Sequence, residues 1–201
     1  MTRRSINPDD YPDYFNSRKE NQMIIKLANV RLAFPDLFQA RAFEAGQTPK
    51  FGAQLLVPKG SPTDKMIQAA IKEAALAKWA NKADMVLRSI EGNAQKYCYT
   101  DGDLKDYDGF AGCMALSAKN ESKPLVTDEN KNELSQADGR PYAGCYVHAS
   151  VDIWAQDNQW GRGIRAKLRA VRFYRDGDAF AGGAPASENE FDDLAVEDDL
   201  A

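Results

Sequence analysis

With 201 residues, 43% of them hydrophobic, the chain can bury a sizeable core and still carry appendages. No apolar run approaches the roughly 20 residues a membrane helix requires, and the opening MTRRSINPDDYPDYF lacks the apolar segment of a signal peptide, so a cytoplasmic protein is expected. The formal net charge of −4 is unevenly placed: residues 187–201 hold seven carboxylates and no base, which leaves 26 basic against 23 acidic groups on the rest.

Residues 1–22 are polar and broken by Asn7-Pro8 and Tyr11-Pro12, which predicts an extended or disordered arm. A first strand is predicted from Ile24 to Phe34, with Val30, Leu32 and Phe34 on one face and Pro35 as its stop. A second runs from Phe51 to Val57 and ends at Pro58-Lys59-Gly60. Ser61-Pro62-Thr63-Asp64 then announces a helix to about Ala80: Ser caps, Pro suits the first turn, and Asp64 sits three residues after the cap. Met66, Ile67, Ala70, Ile71 and Ala74 recur at helical spacing, so this helix packs, with Lys65, Lys72 and Lys78 as surface charges.

The turn Thr100–Gly109 carries Asp101, Asp103, Asp106 and Asp108, but it lacks the sixth-position Gly and the closing Glu of a calcium loop. A solvated turn is expected. Asp128, Asn130 and Asn132 fail the same test at Glu133. Phe110, Gly112, Met114 and Leu116 form one face of a third strand, a short strand follows at Pro124–Val126, and Asp138-Gly139-Arg140-Pro141 signals a turn. Cys98, Cys113 and Cys145 are odd in number and widely spaced, and His148 is the sole histidine; neither a disulfide framework nor a zinc site is indicated.

Tyr142–Arg175 reads as a hairpin with differently decorated arms. In the first, Ala143, Cys145, Val147, Ala149, Val151 and Ile153 alternate with Tyr142, Tyr146, His148, Ser150, Asp152 and Trp154. In the second, Ile164, Ala166, Leu168 and Ala170 alternate with Arg165, Lys167 and Arg169 until the pattern swaps at Val171, which predicts a bulge near Ala170. From Asn158 to Arg175 there are six basic residues and no acidic one. Aromatic faces stack on bases and neighbouring cations track phosphates, so the pair suits single-stranded nucleic acid. The candidate stacking residues are Tyr142, Tyr146, His148, Trp154 and Trp160; the candidate phosphate contacts are Arg162, Arg165, Lys167, Arg169 and Arg172. Ala181-Gly182-Gly183-Ala184-Pro185 reads as a flexible linker to a disordered acidic tail. Nucleotide-binding P-loop, zinc-protease and nucleophile-elbow motifs are all absent from the sequence, so no enzyme and no cofactor is expected. Short alternating strands with one helix argue a mainly β fold: a five-stranded OB-type barrel with a packing helix and insertions over residues 23–180, between the arm 1–22 and the tail 181–201.

VRLAFPDLF, FGAQLLVPKG before a helix, DGFAGCMALSAKNESKPLV, and GRPYAGCYVHASVDIWA with the basic closing strand resemble, in that order, a family of bacteriophage single-stranded-DNA-binding proteins. The resemblance covers about residues 24 to 180 and implies an OB-fold that coats single-stranded DNA in phage replication and recombination. It also implies a tail, here Glu188, Glu190, Phe191, Asp192, Asp193, Glu197, Asp198 and Asp199, that contacts replication proteins such as a polymerase, helicase or primase. The helix after the second strand departs from the simplest OB order, and the final Asp198-Asp199-Leu200-Ala201 lacks the terminal aromatic of some relatives. Two other classes stay open: a metal-dependent nuclease using the Asp101–Asp108 carboxylates, and a virion or assembly barrel that ignores nucleic acid. A homodimer is compatible with the sequence.

Overall fold

The computed structural model describes residues 23–42 and 46–180; the predicted arm and acidic tail lie outside them. Seven strands form one mainly antiparallel sheet: β1 (Met23–Arg41), β2 (Lys50–Pro58), β3 (Tyr99–Asp101), β4 (Cys113–Asn120), β5 (Leu125–Thr127), β6 (Tyr146–Asn158) and β7 (Gly161–Arg175). Their spatial order is β3-β4-β2-β1-β6-β7-β5. Five long strands carry the barrel, and β3 and β5 are short additions at its two edges. The fold is mainly β and OB-like, as expected.

The sheet is not closed by a continuous ladder. Its two sides meet at a seam between β4 and β7, where one residue bonds to both. The Cys98 amide donates to the Ile164 carbonyl of β7 at 3.1 Å, and the Cys98 carbonyl accepts from the Ser117 amide of β4 at 2.8 Å. Ile164 also donates to Lys96 at 2.8 Å, and the Asn120 side-chain amide donates to the Leu168 carbonyl at 2.7 Å. Burial pushes the Cys98 thiol up to about 12, so it packs as a small neutral group.

Inside lie Leu27, Val30, Leu32, Leu55, Val57, Leu116, Val147, Val151, Ile153, Ile164, Leu168 and Phe173. Burying each such side chain stabilises the fold by about 1.5–3 kcal/mol before chain entropy is charged against it. Helix α1 (Pro62–Trp79) packs on β6, β1 and β2 through Ile67, Ala70, Ile71, Ala74 and Ala75. Its cap forms as expected, with Ser61 Oγ accepting from the Asp64 amide at 3.1 Å. Asp64 is itself buried and accepts from Gly60, Gln68 and the Tyr99 hydroxyl. Burial works to raise its pKa, and those hydrogen bonds more than offset it, leaving the carboxyl below its usual range.

Four expectations are corrected. β1 runs through Pro35 to Arg41, because the β1–β2 register breaks between Ala33 and Asp36 and the ladder loses no bond to the imino nitrogen. Met66 is exposed and Ala75 takes the inward position. The stretch after residue 80 holds a second helix, α2 (Ala83–Ile90), which buries Ala83, Val86 and Ile90. Phe110 and Gly112 precede β4, and Phe110 packs with Ala33, Leu56 and Ala115 on the opposite side of the sheet from Leu116.

Candidate nucleic-acid interface

The outward positions of β6 are Tyr146, His148, Ser150, Asp152 and Trp154, a row about 26 Å long at about 3.3 Å per residue. Cations flank it on both sides. Across β7 the partners are Arg175 for Tyr146, Arg172 for His148, Lys167 for Asp152 and Arg165 for Trp154. Across β1, Lys26 faces Ser150 and Arg31 faces Tyr146.

This arrangement depends on a bulge. Ser150 pairs with Ala170 and Val151 with Leu168, which leaves Arg169 as an extra residue. Without it, a period-two strand that turns Arg165 and Lys167 outward would turn Arg172 inward. The bulge lies where the sequence pattern swaps, one residue from Ala170.

The predicted residues fall into distinct settings. Trp154 is 38% exposed and Trp160, at the hairpin tip, is 79% exposed. Lys167, Arg169 and Arg172 are exposed. Arg165 donates to the Gln95 carbonyl and to Gln156 Oε1. Arg162 is ion-paired to Asp157 at 3.2 Å, and the same carboxylate oxygen accepts from Trp79 Nε1 at 2.9 Å, so Arg162 helps tie the tip to α1. Tyr146 is half-buried, with the Arg175 guanidinium 3.6 Å and the Arg31 guanidinium 5.8 Å from its ring centre. His148 accepts from the Asn29 amide at Nδ1 and rests against Tyr174, ring centres 4.6 Å apart. Tyr142 stands apart from the row: it precedes β6, and its hydroxyl donates to Asp176 Oδ1 at 2.8 Å and accepts from the Gly177 amide. Asp152 is buried, with Oδ1 unbonded among the described residues; burial raises its pKa against the pull of Arg169 and Lys167.

Lys26, Arg31, Tyr174 and Arg175 join the face without having been selected from the sequence. Arg31 alternates with Val30 and Leu32, which was a legible outward signal, but its partners are distant in the chain. It donates to the Gly144 and Asp178 carbonyls at 3.1 and 2.8 Å and lies 4.5 Å from the Phe180 ring centre. The segment leading to the tail therefore crosses the face beside Tyr146. Gly144 permits that crossing: its φ is +104°, and a side chain there would collide with the Asp178 carbonyl.

The Asp101–Asp108 turn is organised by Lys59, whose ammonium sits 2.5 Å from both Asp101 and Asp103. That contact holds both carboxyls below their usual range and raises the lysine. Among the described residues, no three His, Cys, Asp or Glu side chains gather into a metal-binding set, and no helix is long and apolar enough to cross a membrane.

A partly open, OB-like barrel with aromatic and cationic side chains on one outer face defines the class of oligonucleotide-binding barrels. Within that class, the chain belongs to the family described as the ssDNA-binding protein of Enterobacter phage Enc34, whose model matches residues 23–201. It is 50% identical over 177 residues to putative protein p50 of Acyrthosiphon pisum secondary endosymbiont phage 1, covering 87% of this chain and 95% of that one. The solved single-stranded DNA-binding protein from bacteriophage Enc34 in complex with ssDNA is similar at 26% identity and a TM-score of 0.66, over 80% of this chain and 93% of that one. The single-stranded DNA-binding protein gp2.5 of bacteriophage T7 shares the fold, with 12% identity, a TM-score of 0.52, and coverage of 90% and 98%.

Proposed function

We propose that this protein binds single-stranded DNA without sequence preference and without catalysis, and protects it during phage replication and recombination. The observation that carries the reading is the outer row Tyr146, His148 and Trp154 with cations on both sides, from β7 and from β1. Stacking tolerates any base, and cations follow a backbone that every sequence shares. Membership of the family and the solved relative named as a complex with ssDNA support the same conclusion. Trp154 and Trp160 supply stacking surface; Arg165, Lys167, Arg169, Arg172 and Arg175 supply phosphate contacts, with Arg31 and Lys26 on the far side. Tyr142 and Arg162 serve mainly to hold the face in shape.

In this reading residues 187–201 act as a polyanion that recruits a polymerase, helicase or primase and competes with DNA for the cations. That Asp178 and Phe180, just before the tail, are seated beside Arg31 supports this reading, since a polyanion tethered close to the face would have a high effective concentration there. A titration with oligo-dT followed by tryptophan fluorescence, repeated across salt concentrations, tests the reading. Quenching is expected, with a log-log salt slope of about −0.7 per phosphate contact. No quenching, or a slope of zero, overturns it.

A further inference from the structure

Beyond Arg31 the outer side of the barrel carries a second aromatic group, away from the hairpin. Phe34 of β1 is 48% exposed and Tyr107 is 56% exposed. Their ring centres lie 5.1 Å apart in an edge arrangement, and both lean on the buried Phe110, at 6.0 and 5.4 Å. Phe34 reaches this position by an unusual backbone: its φ is +48°, a left-handed conformation that a bulky side chain rarely adopts, and the β1–β2 register breaks beside it, between Ala33 and Asp36. Strain of this kind gathers at sites that meet a ligand. Here it holds an apolar ring out towards water.

The group is continuous with the hairpin face. Arg31 stands across from Tyr146, and its guanidinium lies 4.5 Å from the ring centre of Phe180, which in turn packs on the cluster that contains Phe110. From Arg31 to Phe34 is three residues of β1, at most about 10 Å. Cations flank the rings as well. Lys105 Nζ is 5.5 Å from the Phe110 ring centre and donates to the neutral Gln54 Oε1 at 3.2 Å, while Arg31 donates to two backbone carbonyls. Lys59 meets the charge of Asp101 and Asp103, whereas Asp106 and Asp108 are exposed on either side of Tyr107 in the chain, which favours an approaching polyanion on the Arg31 and Lys105 side of the rings.

We propose that Phe34 and Tyr107 form a second base-stacking subsite, with Arg31 and Lys105 holding phosphates beside it, so that a bound strand leaves the β6 row at Tyr146 and continues over β1. The inference rests on the single-stranded DNA reading and extends it. A short oligonucleotide is taken by the hairpin alone, and only a longer strand spans both groups of rings. Once the hairpin is occupied, the next bases are held at high effective concentration over Phe34, so the second subsite adds affinity only through the covalent continuity of the strand.

The test uses full-length protein and oligo-dT of about 6 and about 16 nucleotides, within and at the top of the roughly 4–16 that one OB fold covers, followed by tryptophan fluorescence, which reports from the hairpin. Phe34→Gly, which suits the left-handed backbone, and Tyr107→Leu, which keeps apolar bulk, should each weaken binding of the longer oligonucleotide about 5- to 150-fold, the equivalent of one lost stack. Binding of the shorter one should not change. Phe34→Tyr, which keeps a stacking ring, should bind both as the wild type does, and Lys105→Gln should lower the salt slope by about 0.7 for the longer oligonucleotide only. Unchanged affinity for the longer oligonucleotide in both ring variants would overturn the subsite, as would equal losses at the two lengths, or a loss in Phe34→Tyr that matches Phe34→Gly. An unchanged slope in Lys105→Gln would overturn the phosphate path beside the rings. Melting curves and sedimentation run in parallel: losses that follow the melting temperature make the rings structural, and a wild-type dimer that Phe34→Gly splits makes the patch a contact between copies, and either result overturns the proposal. If the wild-type protein binds neither oligonucleotide, the DNA reading itself falls instead.

Discussion

Trp154 and Arg165 are direct cross-strand partners on the outer face of the β6–β7 hairpin. In the proposed reading a base stacked on the indole has its phosphate near the guanidinium, so that the two residues would divide one nucleotide between stacking and charge. Trp154→Ala should weaken oligo-dT binding by about 1–3 kcal/mol with little change in salt slope. Arg165→Ala should reduce the slope by about 0.7. Melting curves recorded alongside separate these effects from unfolding; if both losses track a matching loss of thermal stability, the pair is structural.

Tyr142 differs from the other aromatics because its hydroxyl is engaged by Asp176 and Gly177. Tyr142→Phe should cost about 0.5–1.5 kcal/mol of stability and leave DNA affinity where it was. A selective loss of affinity, with an unchanged melting temperature, would restore Tyr142 to the binding face.

Asp152 works against the fold at neutral pH, since burial raises its pKa above the unfolded value. Its protonated form carries no such penalty, so wild-type stability from this group is fully present below the unfolded pKa and is lost as pH rises through the folded one. Asp152→Asn should therefore stabilise the protein near pH 7 with an advantage that disappears in acid, and it should tighten DNA binding by removing a negative charge beside Lys167 and Arg169. Chemical denaturation at several pH values, with parallel DNA titrations, decides the matter; a less stable variant at pH 7 would mean that the carboxylate is needed.

Lys59 occupies the space between Asp101 and Asp103 that a divalent ion would need. Oligonucleotide incubated with the protein and magnesium should remain intact, and a chelator should leave binding unaltered. Magnesium-dependent cleavage on a gel would revive the nuclease alternative.

Deleting residues 187–201 should tighten DNA binding at low ionic strength, with a gain that shrinks as salt screens the tail from the face. Identical affinities for intact and truncated protein at low salt would leave the tail as a handle for partners or as a solubilising appendage.

Much of the face was legible because it is local. Alternation over Cys145–Ile153 and Ile164–Leu168 marks which side packs, and the swap at Val171 locates the bulge within one residue. The α1 cap was equally readable, since Ser61 and Asp64 are three residues apart. What could not be read depends on partners far along the chain. Pro35 looks like a stop until the register break beside Ala33 makes it harmless, and Phe110 looks like a core residue of β4 until it folds back over Leu56. Tyr142 and Tyr146 look alike in sequence; only the return of residues 176–177 distinguishes them.

The hydrogen bond from Trp79 to Asp157 also bears on how the molecule would report on itself in solution. Of the three tryptophans, two are exposed on the hairpin, while Trp79 is 7% exposed and fixed at the end of α1. The emission should accordingly have two components: a red-shifted one from Trp154 and Trp160 that nucleotides extinguish, and a blue-shifted one from Trp79 that persists at saturation. The residual spectrum is an internal reference for the fold, and a shift in its wavelength would signal that the hairpin tip has come away from the helix.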